Sequence, residues 1–460
     1  MKRSVKVALV AMATVLAILA TACGSGRNDA QDQPSGPGTT TAAEGDSFGD
    51  LASPCGPAPE GEANTASAQG VTADSIAIGY GDDAGYQAAP GTNHEVSDAM
   101  RAIVKWCNEQ GGINGRKVDA TYYDAKITEA VNAVTEACPK EFFLVGQMFS
   151  LDSAQEQARR GCGLPSVPAT AVSPQFANAP LMVNPTPNPV DYYVAGATAQ
   201  LAELFPEKVE KAAVIYANYA ATRDSKDKFV LGATANGWTF LDCPQEYSIQ
   251  GEADWKPFAQ KLKDCGAEVV YFAGSPVPNW QNLLDAAHQI GFEPIWTSEA
   301  NAYSEAFIKW NASGNANNVY FPINFIPFEE ADTNPVTQQY IDLVRAEGGD
   351  ISSLGLRATS GFLLWATAAE ECGANLTREC VLDKLAAVHE WTGGGLHAET
   401  DPGGNIPFHC DVLVKLEGQT VVRVAPTDPG TYGCEEDFAL PITGSVVENA
   451  KLDANRIAQI

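Results

Sequence analysis

Residues 105–124 read KWCNEQGGINGRKVDATYYD. Just upstream, Val96, Met100, Ile103, Val104 and Cys107 recur at helical spacing and give one apolar face. The helix is stopped by Gly111-Gly112-Ile113-Asn114-Gly115, residues that tolerate left-handed backbone. Val118 to Tyr123 then reads as a strand. On the other side, Ile76-Ala77-Ile78-Gly79-Tyr80 reads as a strand that runs into a glycine-rich loop. The local unit is therefore strand, helix, strand.

The alternation continues outward. Ala130 to Ala137 is a predicted helix, and Phe142-Phe143-Leu144-Val145 a buried strand ending at Gly146. A further helix leads to the strand Leu164-Pro165-Ser166-Val167. The pattern restarts at strand Ala212–Tyr216, followed by a helix over Asp227–Thr234 and a strand over Phe240–Cys243. Next come helix Trp255–Leu262, strand Val269–Phe272, helix Leu283–Ile290 and strand Pro294–Trp296. Repeated βα units predict parallel sheets covered by helices on both faces. Two such runs predict an α/β chain of two doubly wound parallel-sheet lobes. Later, Val336, Tyr340, Leu343 and Val344 mark a helix and Phe362–Ala369 another, and residues 412–422 read as a hairpin turning at Glu417-Gly418.

The chain has 460 residues, enough for two to four domains. With 29 Lys and Arg against 57 Asp and Glu, its formal charge is −28. That balance argues against nucleic acid, whose binding rests on basic residues at phosphates. It also argues against docking on anionic lipid through a basic face. Eleven cysteines point to an oxidising compartment. Lys2, Arg3 and Lys6 precede an apolar run from Val7 to Leu19, the pattern of a secretory signal. The run is short for a membrane span. It ends in Ala20-Thr21-Ala22-Cys23, which resembles a bacterial lipobox; residues 1–22 would be removed and Cys23 lipidated, placing the protein on the extracytoplasmic face of the membrane. From Cys23 to residue 72 the composition is rich in Gly, Ser, Thr, Pro and Asp, and it is expected to form a flexible tether.

The helix followed by Gly111-Gly112-Ile113-Asn114-Gly115-Arg116-Lys117-Val118 and a strand ending Tyr123-Asp124 resembles the type I periplasmic binding proteins, above all the branched-chain amino-acid receptors of ABC transporters. Three further stretches carry the resemblance: Val145-Gly146 with Phe149-Ser150, residues 265–274 (CGAEVVYFAG), and residues 286–292 (AAHQIGF). It covers about residues 73–425. It implies two lobes joined by three crossings, with ligand in a central cleft that closes by hinge motion. The first lobe would use 73–187 and 301–400, the second 188–300 and 401–445, leaving 446–460 as a tail.

The resemblance also implies site residues. Ser150 matches the position that binds a ligand's α-carboxylate with a hydroxyl and free helix N–H groups; a plain helix N-cap is the alternative. Phe149 lies beside it, and the neighbouring Asp152 disfavours an anion there. Ala169 and Thr170 match a backbone carbonyl and a hydroxyl against the ligand. Glu299 matches an acid that pairs with a ligand ammonium, and Tyr219 an aromatic that closes over it. Tyr80 and Tyr86 flank the first loop and could pack on the ligand or serve the strand end. The implied solute is an amino acid or related amide. The implied partner is an ABC permease, and the receptor would work as a monomer. A sensor on the same fold is the alternative, and a secreted hydrolase a third.

Without Cys23, ten cysteines remain, and sequence alone leaves on the order of a thousand pairings. A metal cluster is the other use for them, although no CxxC occurs. The resemblance implies the pairs Cys138–Cys162, Cys243–Cys265, Cys372–Cys380 and Cys410–Cys434, which leaves Cys55 with Cys107. The five histidines form no HExxH, no GxSxG follows a predicted strand as a nucleophile elbow requires, and no phosphate-binding GxxxxGK[ST] loop is present. No cofactor, metal or catalytic residue is expected, and the chain does not read as an enzyme.

Overall fold

The computed structural model describes residues 47–459. The expected signal segment and Cys23 lie outside the described residues. A first parallel sheet contains β1 (Ser75–Asp82), β2 (Lys117–Asp124), β3 (Phe143–Val145) and β4 (Ser166–Val167), in the order β2-β1-β3-β4. The chain then forms β5 (Tyr192–Val194) and a second sheet. This holds β6 (Ala212–Ala217), β7 (Gln245–Tyr247), β8 (Val269–Ala273), β9 (Ile295–Thr297), β10 (Val319–Ile323), β11 (Cys410–Glu417) and β12 (Thr420–Ala425), in the order β12-β11-β10-β9-β8-β6-β7. A short β13 (Gly433–Cys434) pairs with β11, and β14 (Ala439–Pro441) pairs antiparallel with β5.

The parallel run β7-β6-β8-β9 repeats the order β2-β1-β3-β4. In both sheets the chain starts in the middle, steps to one side, then returns and builds on the other. The loops on either side of that switch leave in opposite directions and open a crevice beyond the strands' carboxyl ends. The fold is thus the expected doubly wound α/β pair.

Helix Ser353–Glu371 sits beneath the first sheet and packs against helix His94–Glu109. Ser352 caps it, its Oγ accepting the Gly355 N–H at 3.0 Å. From Ser353 to Ala366 every residue but Arg357 is buried, so this is a core helix.

Several expectations are corrected. Residues 47–72 do not form a tether but lie on the body. Phe48 is fully buried, its ring edge-on to Trp106 at 5.6 Å. Cys55 is tied to Cys107, and Val71 bridges to Ile76. A few anchoring residues hold this segment where its average composition is polar. Residues 446–460 are likewise docked: Val446 and Ala450 are buried, and Arg456 grips Asp191 with two bonds of 2.7 and 2.9 Å. The expected first-lobe piece 301–400 begins too early, because β10 lies parallel beside β9 in the second sheet. Only from helix Pro335–Ala346, which packs on helix His94–Glu109, does the chain rejoin the first lobe. The strand expected at Phe240–Cys243 is reduced to one bridge from Phe240 to Ala212, and the ladder resumes at Gln245. Pro244 between them has no N–H to donate.

All ten described cysteines are paired, in the four combinations that the resemblance implied and the remaining one, Cys55–Cys107. Among the described residues no group of His, Cys, Asp and Glu is placed to hold a metal ion, and no helix is long and apolar enough to cross a membrane.

Candidate functional site

A cleft opens between the two switch points. It is lined by the loops after β1, β3 and β4 on one side and after β6, β7, β8 and β9 on the other. On the first side the chain leaves β3 through Gly146, at a φ of +68° where a Cβ would strike the Met100 sulfur at 2.1 Å. Only glycine allows that turn without displacing the core. The loop then carries Ser150 to the cleft wall. There Asp83, fully buried, takes up what Ser150 has to offer: its Oδ2 accepts the Ser150 N–H at 2.8 Å and the Ser150 hydroxyl at 2.7 Å. Its Oδ1 accepts the Ile127 N–H at 2.6 Å. Burial pushes the Asp83 carboxyl up to about 6, against the opposing pull of those bonds. Asp152, also buried and raised to about 6, accepts the Val172 and Ser173 N–H groups and ties the loop after β3 to the loop after β4.

Ser150 thus reaches the cleft wall as expected, but not with free donors. Its two donors already serve a carboxylate, and that carboxylate belongs to the chain itself. Thr170 does reach the cleft wall. Phe149 and Ala169 do not; Phe149 packs with Tyr123 and Leu144, and Ala169 is fully buried in the main core. Tyr80 also points away, into a contact with Tyr122 at 5.8 Å on the opposite side of β1. Tyr86 lines the cleft, and its hydroxyl donates to the Ile249 carbonyl at 3.5 Å, from the first lobe to the second.

The second side is aromatic. Tyr219, at the start of helix Ala220–Ala235, lines the cleft together with Tyr193, Phe229, Tyr247 and Tyr271. Phe229 stacks on Tyr271 at 3.7 Å. The Tyr271 hydroxyl donates to Glu299 Oε1 at 3.1 Å, which holds the Glu299 carboxylate on the cleft surface. Two residues on, Asn301 donates to the Gly274 carbonyl at 3.2 Å, and its own Oδ1 is buried with no partner. Two acceptors, one charged and one neutral, thus come from the short segment after β9.

Cations are scarce here. Lys228 is buried and its Nζ donates to Asn188 Oδ1 at 2.5 Å and the Pro189 carbonyl at 2.7 Å; burial draws it down to about 7. Arg357 is different. It leaves the otherwise buried helix Ser353–Glu371 and enters the cleft, and its Nε, screened from solvent, has no hydrogen-bond partner. Sequence reasoning passed over this residue, although a signal was present. Between Ser353 and Ala369 it is the only charged residue.

The family model "Periplasmic binding protein" matches residues 76–420. No curated protein sequence matches the chain. Among solved structures, the isoleucine complex of the branched-chain amino acid transporter substrate-binding protein LivJ from Streptococcus pneumoniae is similar over 76% of this chain and 100% of its own, at 16% identity and a TM-score of 0.60. A fatty acid ABC transporter substrate-binding protein from Thermomonospora curvata is similar over 83% and 97%, at 16% identity and 0.65. A benzoate-bound solute-binding protein of an ABC transporter from R. palustris is similar over 79% and 98%, at 12% identity and 0.65. At these identities the likeness is one of fold.

Proposed function

The chain belongs to the periplasmic binding protein family, and from that premise we propose that it is an extracytoplasmic receptor, lipid-anchored through Cys23, that captures an amino acid or related amide and hands it to an ABC permease. The observation that carries the solute class is the acceptor pair after β9. Glu299 and Asn301 line a cleft between two lobes, and the Asn301 Oδ1 is buried there without a partner. An ammonium or amide N–H group donates to both. Buried polar atoms without partners are rare, and a ligand donor would satisfy this one. The aromatic wall of Tyr193, Tyr219 and Tyr271 suits an apolar side chain.

Capture follows from the connections between the lobes. The chain crosses between β4 and β6, between β10 and helix Pro335–Ala346, and between helix Arg378–Ala386 and β11. Such linkers absorb a hinge rotation while each sheet stays rigid. Ligand contacts drawn from both lobes stabilise the closed arrangement, which is the form a permease can distinguish from the empty one.

The test is the melting temperature of the mature protein across amino acids, amides, peptides and sugars. A ligand of the folded state adds RT ln(1 + [L]/Kd), about 2.7 kcal/mol at a hundredfold excess over Kd. A shift confined to one amino-acid class and lost in Glu299→Ala supports the reading. A shift with sugars alone removes Glu299 from the site.

A further inference from the structure

We infer that Arg357 receives the carboxylate of the captured solute, and that the chain's own Asp83 has closed the alternative anion site at Ser150. This deepens the receptor reading and rests on it.

The argument starts from two unequal sites. An anion entering at Ser150 would need its N–H and hydroxyl, both held by Asp83 Oδ2. It would also meet the Asp83 charge, with Asp152 close by on the same loop. Like charges brought together in a desolvated pocket oppose binding. Ser150 also accepts from Asn93 Nδ2 at 3.3 Å, so its hydroxyl is fixed in direction.

At Arg357 each of these conditions is reversed. The side chain makes no ion pair among the described residues, and its buried Nε lacks any acceptor. Arg357 is half-buried, its Nε is screened from water, and the structure offers that N–H no compensating bond from the protein. The guanidinium fork matches a carboxylate with two parallel N–H···O bonds. The backbone carrying it is also fixed: the helix is capped by Ser352 and its other residues are buried from Ser353 to Ala366. Glu299 lines the same cleft and makes no ion pair or hydrogen bond with Arg357. The two opposite charges therefore face the same space, as the poles of a zwitterionic solute require.

The experiment compares matched probes on the mature protein: L-leucine against L-leucinamide, benzoate against benzamide, and hexanoate against hexanamide. Binding is read as thermal stabilisation and by calorimetry. The expected result is that a carboxylate probe binds and its amide binds about 30- to 100-fold more weakly, the range for one lost charge-assisted pair. Arg357→Gln should lose that preference, and Arg357→Lys should keep part of it. Ligand-free Arg357→Gln should melt no lower than the parent, because no protein bond is removed. Equal binding of acid and amide by the parent protein overturns the inference and leaves the receptor reading in place. So does an unchanged carboxylate affinity in Arg357→Gln. A lower melting temperature for the ligand-free variant assigns Arg357 to stability and likewise overturns the inference. If no probe binds and the denatured protein releases no solute, the receptor reading fails, and the inference with it.

Discussion

Replacing Asp83 with asparagine keeps the shape of the side chain and removes its charge. The carboxyl is fully buried and raised from 3.8 to about 6. A raised acid contributes stability when protonated: the contribution is full below the unfolded value of 3.8 and is lost as the pH rises through 6. A shift of that size is worth roughly 3 kcal/mol at its limit, and about 2.5 kcal/mol of it is present at pH 4 and almost none at pH 7. Asparagine does not titrate, so the variant lacks this gain. The variant also loses an acceptor, since one amide oxygen cannot serve Ser150 and Ile127 together, which costs roughly 1–3 kcal/mol at every pH. The assay is denaturant unfolding of both proteins at steps between pH 4 and pH 7, read as a difference so that other carboxylates cancel. The expected result is a gap between parent and variant that widens by about 2.5 kcal/mol on acidification. A constant gap would refute the reasoning, because it would mean that Asp83 ionises in the native protein as it does in water.

Other outcomes follow from the same structure. Glu156→Gln leaves the fully buried Arg159 without its bidentate partner at 2.6 and 2.9 Å, and should destabilise the protein by about 3–5 kcal/mol in chemical denaturation. Removing Cys55–Cys107 by double alanine substitution should lower stability by about 4 kcal/mol, against about 2.5 kcal/mol for Cys372–Cys380, since the closed loops span 52 and 8 residues; equal losses would show that loop length does not govern these crosslinks. Loss of the first of these bridges should also expose the segment around Phe48 to proteolysis ahead of global unfolding, as mass spectrometry of the fragments would show. Tyr86→Phe removes a long contact of 3.5 Å between the lobes and should change solute affinity less than about threefold by calorimetry.

The doubly wound fold was legible because it depends on local periodicity. Apolar spacing at Val96, Met100 and Ile103, the glycine stop at 111–115, and short buried strands such as Phe143–Val145 each specify their element without help from distant residues. Four of the disulfide pairs and the cleft positions of Thr170, Tyr86, Tyr219 and Glu299 came through the resemblance, which carries fold geometry that periodicity lacks. Composition misled where a few anchors outweigh an average, as at Phe48 and Cys55.

What the sequence alone could not decide is who satisfies whom. Ser150 stands at the expected place, yet whether its donors are free depends on Asp83, 67 residues away. Tyr80 and Phe149 lie next to the cleft in the chain, but the direction of each side chain is set by packing against Tyr122 and Leu144. Arg357 is one charge in an apolar helix, and its sequence neighbours reveal nothing of the cleft before it. Hydrogen bonding and desolvation act between groups that touch, and those contacts exist only once the two sheets and the helix beneath them have come together.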